Sequence, residues 1–284
     1  MEWISKSNIL IVGLGLMGGS YARALTRLGY NVGAVDTNAD SIAYALDAGI
    51  ISRGSTMPDP ELISSADAVI FALYPGVFKT WIDGYQHLFK PGTMLTDVTG
   101  VKSCIVYDIQ NALRPDVEFI AAHPMAGREV YGVRNSDERI FRDANYIVVP
   151  TEKNTPEAIE WCKSLGKILG FARISVCSPE EHDRMIGFLS QLTHCIAVAL
   201  MTCSDNRHLV DYTGDSFRDL TRIANINDAM WSELFLLNRE VLLHDMDVFI
   251  DEMNDLRALL EKGDREGLRQ KMRLSTERRS YFNK

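Results

Sequence analysis

Short apolar runs of strand length alternate with helix-like stretches along residues 1–177. The runs cover 8–12, 31–35, 68–72, 94–96, 119–121, 146–149 and 172–177. Between them, apolar residues recur at spacings of three and four over 19–28, 41–48, 101–113 and 156–169, which is typical of amphipathic helices. The alternation predicts a parallel sheet with helices on both faces, a doubly wound α/β fold of Rossmann type.

The pattern changes after Cys177. Ser178 precedes a proline and two glutamates, which is the signature of a helix N-terminus, and apolar positions continue to about Cys203. No strand signal returns after this point. We therefore predict a Rossmann-type domain over 1–177 and an all-helical domain over 178–284.

The helical half contains one unusually long apolar pattern. It covers 228–262, and a last helix is predicted over 265–281. An unbroken helix of about 35 residues would be about 50 Å long, which is more than a small domain can cover. We predict that this helix packs against a second subunit and makes the protein a homodimer.

Composition excludes several classes of protein. The 284 residues are 46% hydrophobic and 24% charged, which excludes a disordered chain. The net charge is −8 and the 30 Lys and Arg residues are scattered, which argues against a nucleic-acid or anionic-membrane surface. The apolar run after MEWISKSN is too short to span a membrane and no leader is recognised, so we expect a cytoplasmic protein. The five cysteines include no CxxC pair, which predicts neither a disulfide framework nor a metal site.

A glycine-rich turn lies between the first predicted strand and the first predicted helix. Residues 13–18 read GLGLMG, the GxGxxG pattern of dinucleotide-binding proteins. At this position the amides of the helix N-terminus can face a pyrophosphate. The predicted cofactor contacts in the turn are Gly13, Gly15, Leu16, Met17 and Gly18.

Asp36 ends the second predicted strand. A carboxylate at this place accepts hydrogen bonds from the adenosine ribose and repels a 2′-phosphate, which favours NAD over NADP. The alternative is that Asp36 only begins the turn Asp-Thr-Asn. The glycine turn and the carboxylate together predict an NAD-dependent dehydrogenase.

Two polar blocks follow predicted strands where the cofactor should lie. They read TDVTGVK over 96–102 and AHPMAGRE over 122–129. Ligands of such sheets bind beyond the carboxyl ends of the strands. His123 could therefore lie beside the nicotinamide and take a proton as hydride leaves, although a buried structural histidine fits the same position.

The helical half supplies candidates for substrate contacts. Asp183 and His194 lie eleven residues apart on one predicted helix, which places them near the same face and permits a shared site. Arg218, Arg222 and Trp231 lie around a helix junction, where a guanidinium suits a carboxylate. For Arg218 a solvated position is the favoured interpretation, whereas for Arg222 both interpretations stay open.

These blocks, together with GLGLMGGS, SPEEHD, SQLTH and DLTRIA followed by MW, resemble the prephenate and arogenate dehydrogenases of tyrosine biosynthesis over nearly the whole chain. The resemblance implies a Rossmann domain joined to an all-helical dimerisation domain. It also implies that hydride passes from the carbinol carbon of prephenate to NAD while the ring carboxylate leaves as carbon dioxide, giving 4-hydroxyphenylpyruvate. The implied partners are this small-molecule substrate and a second copy of the chain, with no nucleic acid and no membrane.

The resemblance also implies roles for single residues. His123 matches the histidine that bonds the substrate hydroxyl, Arg222 the arginine that holds a carboxylate, and His194 a second substrate-binding histidine. The residues that match positions shaping and gating the pocket are Asp183, Glu129 and Trp231. Because the substrate is a dianion and the chain is acidic, positive charge must be concentrated at Arg222 and at Arg128 or Lys102.

Some positions depart from the common pattern of the family. Gly100 stands where a serine usually bonds the catalytic histidine, and Thr99 beside it is the candidate for supplying that hydroxyl. Gln191 and Thr193 stand where many relatives have histidine and proline, which favours an altered substrate preference over an altered reaction. We expect no regulatory ACT domain after the last helix, and therefore no feedback by tyrosine through such a domain.

Three other functions stay open. Arogenate dehydrogenase shares the chemistry and acts on the ring with an amino acid side chain. A β-hydroxyacid dehydrogenase also pairs a Rossmann domain with a helical one, but its catalytic lysine has no counterpart, since 178–228 contains no lysine. The departure at Gly100 leaves room for an NAD sensor without catalytic activity.

Overall fold

The computed structural model describes residues 7–282, and its first part is built on a six-stranded parallel sheet. The strands are β1 Asn8–Val12, β2 Asn31–Val35, β3 Arg53–Ser55, β4 Ala68–Phe71, β5 Met94–Asp97 and β6 Glu118–Phe119. Their order across the sheet is β3-β2-β1-β4-β5-β6, so it reverses between β1 and β4. Such a switch point opens a crevice at the carboxyl ends of the strands. The expectation that no leader precedes β1 concerns residues 1–6, which lie outside the described part.

Helices pack around this sheet. They are α1 Leu16–Arg27, α2 Ala39–Asp47, α3 Pro60–Ser65, α4 Pro75–Tyr85, α5 Ser103–Ala112 and α6 Pro156–Leu169. In β1, Ile9 and Ile11 belong to one core cluster, whereas Leu10 and Val12 belong to another. Because side chains alternate along a strand, burial of all four means that both faces of the sheet are covered. The predicted doubly wound α/β fold is confirmed.

The chain then leaves the first sheet for a second, three-stranded one. Its strands are β7 Ala121–Met125, β8 Asn145–Val149 and β9 Arg173–Val176, with β7 antiparallel to β8 and β8 parallel to β9. The prediction of a single strand over 119–121 is wrong, because Phe119 pairs within the first sheet and Ala121 within the second. An apolar run indicates burial and does not indicate the strand with which it pairs. As a result His123 lies in the second sheet.

Only helices and turns follow β9 among the described residues. The helices are α7 Pro179–Ile186, α8 Thr193–Thr202, α9 Asp215–Thr221, α10 Asp228–Leu237, α11 Arg239–Lys262 and α12 Arg265–Ser280. A π-helical turn, Gly187–Leu192, joins α7 to α8. The side chain of Ser178 accepts a hydrogen bond from the backbone N–H of Glu181 and caps α7. The predicted change to an all-helical part is confirmed.

The predicted unbroken helix over 228–262 is wrong, because the chain bends at Asn238 between α10 and α11. Asn238 has φ −114° and ψ 26°, outside the α-helical range. Its buried amide donates to the backbone oxygen of Asp183 at 3.0 Å and to the side-chain oxygen of Gln191 at 2.7 Å. These bonds hold the break against α7 and the π-helical turn. The apolar spacing continues through the break, so the pattern does not reveal it.

The helical part exposes many large apolar side chains. They include Phe188, Leu189, Met201, Leu220, Leu236, Ile250, Met253 and Leu260. By length and composition alone, one helical run within the described residues, Pro179–Thr202, would also suffice to cross a membrane. A long apolar helix that packs against another subunit meets the same criterion of length and composition. Like a membrane-spanning helix, it exposes apolar surface when the chain is considered alone.

Candidate active site

A cleft of about 520 Å³ lies between the sheets of the first part and the helices of the second. One wall is the glycine turn with the start of α1, from Gly15 to Gly18. The floor is formed by residues that follow β5 and by β7, among them Thr99, Gly100 and His123. The residues on the helical wall include Ile186, Gln191, His194, Met230, Trp231 and Leu234.

The glycine turn approaches its neighbours too closely for side chains. Gly13 has φ +97°, and a Cβ there would lie 2.4 Å from the backbone oxygen of Ala72. A Cβ at Gly18 would lie 1.8 Å from the backbone oxygen of Gly13. At Gly15 a Cβ would meet no described neighbour within 4 Å, so the space over the turn is open. The N-terminal amides of α1 face this space, as the binding of a pyrophosphate requires.

Asp36 follows β2 and lies beside this turn. One of its carboxylate oxygens accepts from the backbone N–H of Leu14 at 2.5 Å, and the other accepts from Asn38 at 2.8 Å. The carboxylate therefore supports the shape of the glycine turn directly. Its contact with a ribose stays a prediction.

His123 lies in β7 and lines the cleft. Its Nδ1 atom is 2.9 Å from Nε2 of His182, which leaves Nε2 of His123 for the cleft. Burial lowers the pKa of His123 well below its usual value, and the neighbouring His182 and Lys102 add to this effect. The imidazole is therefore neutral near pH 7 and can accept a proton.

His182 and Asp183 lie behind His123 and outside the lining of the cleft. Nδ1 of the buried His182 is 2.8 Å from Oδ1 of Asp183. The two Asp183 oxygens also accept from the backbone N–H groups of Lys102 and Ser103, each at 2.8 Å, at the start of α5. Burial opposes ionisation of Asp183, but the hydrogen bonds from His182 and Ser103 lower its pKa on balance.

The expectation that Asp183 and His194 share a site on one helix face is wrong. The π-helical turn Gly187–Leu192 between them interrupts the α-helical spacing, so eleven residues do not return to the same face. His194 lines the cleft, whereas Asp183 binds the start of α5. His182, which sequence reasoning did not single out, takes the place next to His123. That contact spans 59 residues, and no local pattern signals it.

The hydroxyl of Thr99 bonds its own neighbours and not His123. It donates to the carboxylate of Asp97 and accepts from the ammonium of Lys102 at 3.1 Å. Lys102 is fully buried, with Nζ 2.7 Å from Asp97 Oδ2 and 2.6 Å from the backbone oxygen of Ala122. The structure therefore contradicts the expectation that Thr99 replaces the missing serine. It also contradicts Lys102 as a cation for the substrate, because the buried carboxylate already pairs with it.

Charged and aromatic side chains meet at the edge of the cleft. Arg222 forms an ion pair with Glu129 and stays largely exposed. The ring of His194 stacks on Trp231, with the two centroids 3.7 Å apart. Nδ1 of His194 lies 2.8 Å from the backbone oxygen of Ser190, which requires a proton on Nδ1. Four of the predicted substrate contacts thus form two contacting pairs, although the members of each pair come from separate segments of the chain.

The other two arginines considered from the sequence are placed differently. Arg218 pairs with Asp215 and is exposed, which agrees with a solvated side chain. Arg128 lines the cleft and lies 3.7 Å from Asp137. The positive charge at the cleft therefore comes from Arg128 and, at the edge, Arg222.

Within residues 7–282, no group of three or more His, Cys, Asp or Glu side chains is placed to hold a metal ion.

Comparisons with known proteins agree over both parts of the chain. Residues 21–175 match the family described as prephenate dehydrogenase, nucleotide-binding domain, and residues 178–274 match prephenate dehydrogenase, dimerization domain. The prephenate dehydrogenase of Bacillus subtilis is 30% identical over 277 residues, which cover 93% of this chain and 72% of the relative. The cyclohexadienyl dehydrogenase of Zymomonas mobilis is 27% identical over 266 residues, which cover 90% of this chain and 89% of the relative.

A solved structure matches the whole fold. The crystal structure of prephenate dehydrogenase from A. aeolicus in complex with hydroxyphenyl propionate and NAD+ has a TM-score of 0.90 and 30% sequence identity. The match covers 99% of this chain and 100% of that one. Because the nucleotide-binding and dimerisation halves both match, in the order in which the fold presents them, the chain belongs to the prephenate dehydrogenase family.

Proposed function

We propose that the chain catalyses the NAD-dependent oxidative decarboxylation of prephenate to 4-hydroxyphenylpyruvate in tyrosine biosynthesis. The observation that carries this proposal is the position of His123 in a cleft between a dinucleotide turn and the Arg222 edge, where burial lowers the pKa of its imidazole. When bound, NAD supplies the acceptor for the hydride that leaves the carbinol carbon. The protein must then hold the ring in place and take the hydroxyl proton.

The glycine turn fits NAD because it excludes side chains and leaves the space above it open. The residues proposed to hold the pyrophosphate through backbone amides and close packing are Gly13, Gly15, Leu16, Met17 and Gly18. Asp36 would accept from the adenosine ribose while it supports the turn. Its charge would repel a 2′-phosphate, so we expect NAD to be preferred over NADP.

His123 acts as the base. Its Nε2 accepts the proton of the substrate hydroxyl as the carbinol hydrogen leaves as hydride, and the carbinol becomes a ring carbonyl. The ring carboxylate then leaves as carbon dioxide, and the electrons of that bond pass through the ring to the carbonyl oxygen. The resulting phenolate takes the proton back from His123, which balances the reaction and regenerates the base.

The substrate contacts are proposed at the edge of the cleft. Arg222 would bind a substrate carboxylate in place of Glu129, with which it pairs in the structure. Glu129 thereby gates the site, because the dianion can enter only when this ion pair opens. The stacked rings of His194 and Trp231 would contact the cyclohexadiene ring.

Arogenate is the second candidate substrate. It carries an ammonium where prephenate carries a keto group, so a nearby carboxylate would favour it. The observation in its favour is Glu129, whose side chain is the acidic one among the described residues that line the cleft. Prephenate remains the first choice because both halves of the chain match prephenate dehydrogenase, as does the relative from Bacillus subtilis at 30% identity.

We also propose that the protein is a cytoplasmic homodimer. Residues 1–177 would bind NAD, and residues 178–284 would form the subunit interface and complete the substrate site. The support for an interface is the exposed apolar surface of α8, α10 and α11 together with the match of this part to a dimerization domain.

The test is an assay of the purified protein with prephenate and with arogenate, each with NAD and with NADP. We expect prephenate and NAD to give NADH and carbon dioxide in equal amounts, with a lower kcat/KM for NADP. Turnover of neither substrate would remove the proposed function. A preference for NADP would contradict the role of Asp36. A preference for arogenate would make arogenate, and not prephenate, the substrate of the enzyme.

The base is tested in the same assay with His123→Asn. This change should lower kcat by about 10²- to 10⁴-fold, because proton transfer to a positioned base is lost. His208→Asn is the matched control, since that side chain is 88% exposed, and it should leave kcat unchanged. Undiminished turnover by His123→Asn would show that another group takes the proton.

A further inference from the structure

Buried His182 occupies a place that the reaction described above does not use. It lies between His123 and Asp183, with Nε2 2.9 Å from His123 Nδ1 and Nδ1 2.8 Å from Asp183 Oδ1. The side chain is 0% exposed and takes no part in lining the cleft. We propose that His182 is a positioning residue that fixes the orientation and the tautomer of His123, so that an unprotonated Nε2 of His123 faces the substrate. The role of His182 presupposes that His123 is the base proposed above.

The hydrogen bonds assign every proton between Asp183 and His123. Although burial opposes ionisation of Asp183, its bonds with His182 and Ser103 lower its pKa, so it is a carboxylate near pH 7. A carboxylate only accepts hydrogen bonds, so Nδ1 of His182 must carry a proton. Burial lowers the pKa of His182, which keeps the ring neutral and makes its Nε2 an acceptor. Nδ1 of His123 must then donate, and its Nε2 keeps the lone pair that a base needs.

Asp183 gives this chain of bonds a rigid end. Its two oxygens accept from the backbone N–H groups of Lys102 and Ser103, each at 2.8 Å. These groups lie at the N-terminus of α5, where the helix dipole stabilises a negative charge. The protons on both histidine rings are therefore set from a carboxylate that the backbone holds in place.

No hydroxyl in the neighbouring loop does this task. Gly100 has no side chain, and a Cβ placed there would lie 4.0 Å from Cε1 of His123. The hydroxyl of Thr99 donates to Asp97. In water a neutral histidine favours the proton on Nε2, which would point a donor at the substrate hydroxyl. The bond to His182 reverses this preference.

The tautomer of His123 is measured by ¹H–¹⁵N NMR of histidine-labelled protein without substrate. The signals of His123 are identified by their absence in His123→Asn. We expect His123 to carry its proton on Nδ1 in the wild type and to shift towards the Nε2–H tautomer in His182→Leu. A wild-type His123 with its proton on Nε2 overturns the proposal.

Kinetics of two variants separate positioning from a merely structural role. Without an acceptor for Nδ1–H, His182→Leu should lower kcat by about 10- to 100-fold, as is typical when the partner that orients a functional histidine is lost. The KM values for prephenate and NAD should stay within about twofold, because His182 does not line the cleft. His182→Gln can still accept from Nδ1 through its amide oxygen, so its kcat should exceed that of His182→Leu by about tenfold.

Each outcome bears on the positioning role. The positioning role is overturned if His182→Leu has the same kcat as the wild type. It is also overturned if a folded His182→Gln loses as much kcat as His182→Leu. If His182→Leu does not fold, the wild-type tautomer and the kcat of His182→Gln decide. If the wild type turns over neither prephenate nor arogenate but shows the Nδ1–H tautomer, the proposed function fails while the placement of the proton by His182 stands.

Discussion

At the edge of the cleft, the guanidinium of Arg222 lies against the carboxylate of Glu129. Arg128, the other cation at the cleft, lies 3.7 Å from Asp137. In a chain of net charge −8, a dianionic substrate thus meets arginines that already have carboxylate partners. In the role proposed for Arg222, binding would exchange one carboxylate for another, so the guanidinium would be paired both before and after the substrate binds. Selectivity at the residue scale would then depend on how well the substrate carboxylate competes with Glu129 for Arg222.

Arg222→Ala tests this exchange. We expect the KM for prephenate to rise by about 10- to 100-fold, since a hydrogen bond to a charged group contributes about 1.5–3 kcal/mol. The KM for NAD should stay within about twofold, because the glycine turn lies on the opposite wall. Arg218→Ala is the matched control, as both side chains are 64% exposed and Arg218 pairs with Asp215. Equal increases for both ligands would make Arg222 a structural residue.

At the scale of elements, three segments meet at Lys102. Its ammonium bonds Asp97 at the end of β5 and the backbone oxygen of Ala122 in β7, next to His123. Its backbone N–H bonds Asp183 in α7. Two buried charges are costly, and their attraction offsets the desolvation only while both are present. Lys102 therefore fixes the distance between the end of β5 and β7, which together form the floor of the cleft.

Lys102→Met should destabilise the protein strongly, because Asp97 would remain as an unpaired buried charge. The expected loss in the free energy of unfolding is about 3–5 kcal/mol, measured by urea denaturation. Lys79→Met provides the comparison, since Lys79 pairs with Asp108 where both side chains are about half exposed. An exposed pair contributes about 0–1 kcal/mol, so a similar loss in both variants would contradict the assigned role of Lys102.

At the scale of the whole molecule, the two parts differ in what they expose. Leu236 in α10 is 70% exposed and Leu260 in α11 is 66% exposed, and similar side chains lie along the same helices. Exposed apolar surface costs about 25 cal/mol per Å², so burying these side chains against another chain would favour association. A homodimer would bury it without involving the glycine turn.

Sedimentation of the purified protein without detergent tests this association. We expect a dimer, and Leu236→Asp should raise its dissociation constant by at least about tenfold, because a charge would be buried at the interface. Met57→Asp introduces the same charge at a side chain that is 71% exposed in the first part, and it should change nothing. A wild-type monomer, or a protein that remains dispersed only with detergent, would contradict the proposed interface.

Local chemistry made much of the fold predictable. The helix predicted over 156–169 is observed as Pro156–Leu169, because Thr155 caps its start and Gly170, with φ +87°, ends it. The glycine turn was equally predictable from the sequence. A side chain at Gly13 would clash with Ala72 after a neighbouring strand, and one at Gly18 would clash within the turn itself. Such features depend on residues a few positions apart, or on neighbouring parallel strands.

The sequence by itself determined the doubly wound fold and the glycine turn. It was also sufficient to select Asp36 as the candidate ribose contact and His123 as the candidate base. Only the tertiary structure decided that His182 forms a hydrogen bond with His123, 59 residues away in the sequence. It also decided that the hydroxyl of Thr99 donates to Asp97 and that Asp183 accepts from the start of α5. The physical reason is that periodicity and capping are local, whereas these hydrogen bonds form between segments brought together by packing. A spacing along the chain specifies which face a residue is on, but the partner on the other side depends on the whole fold.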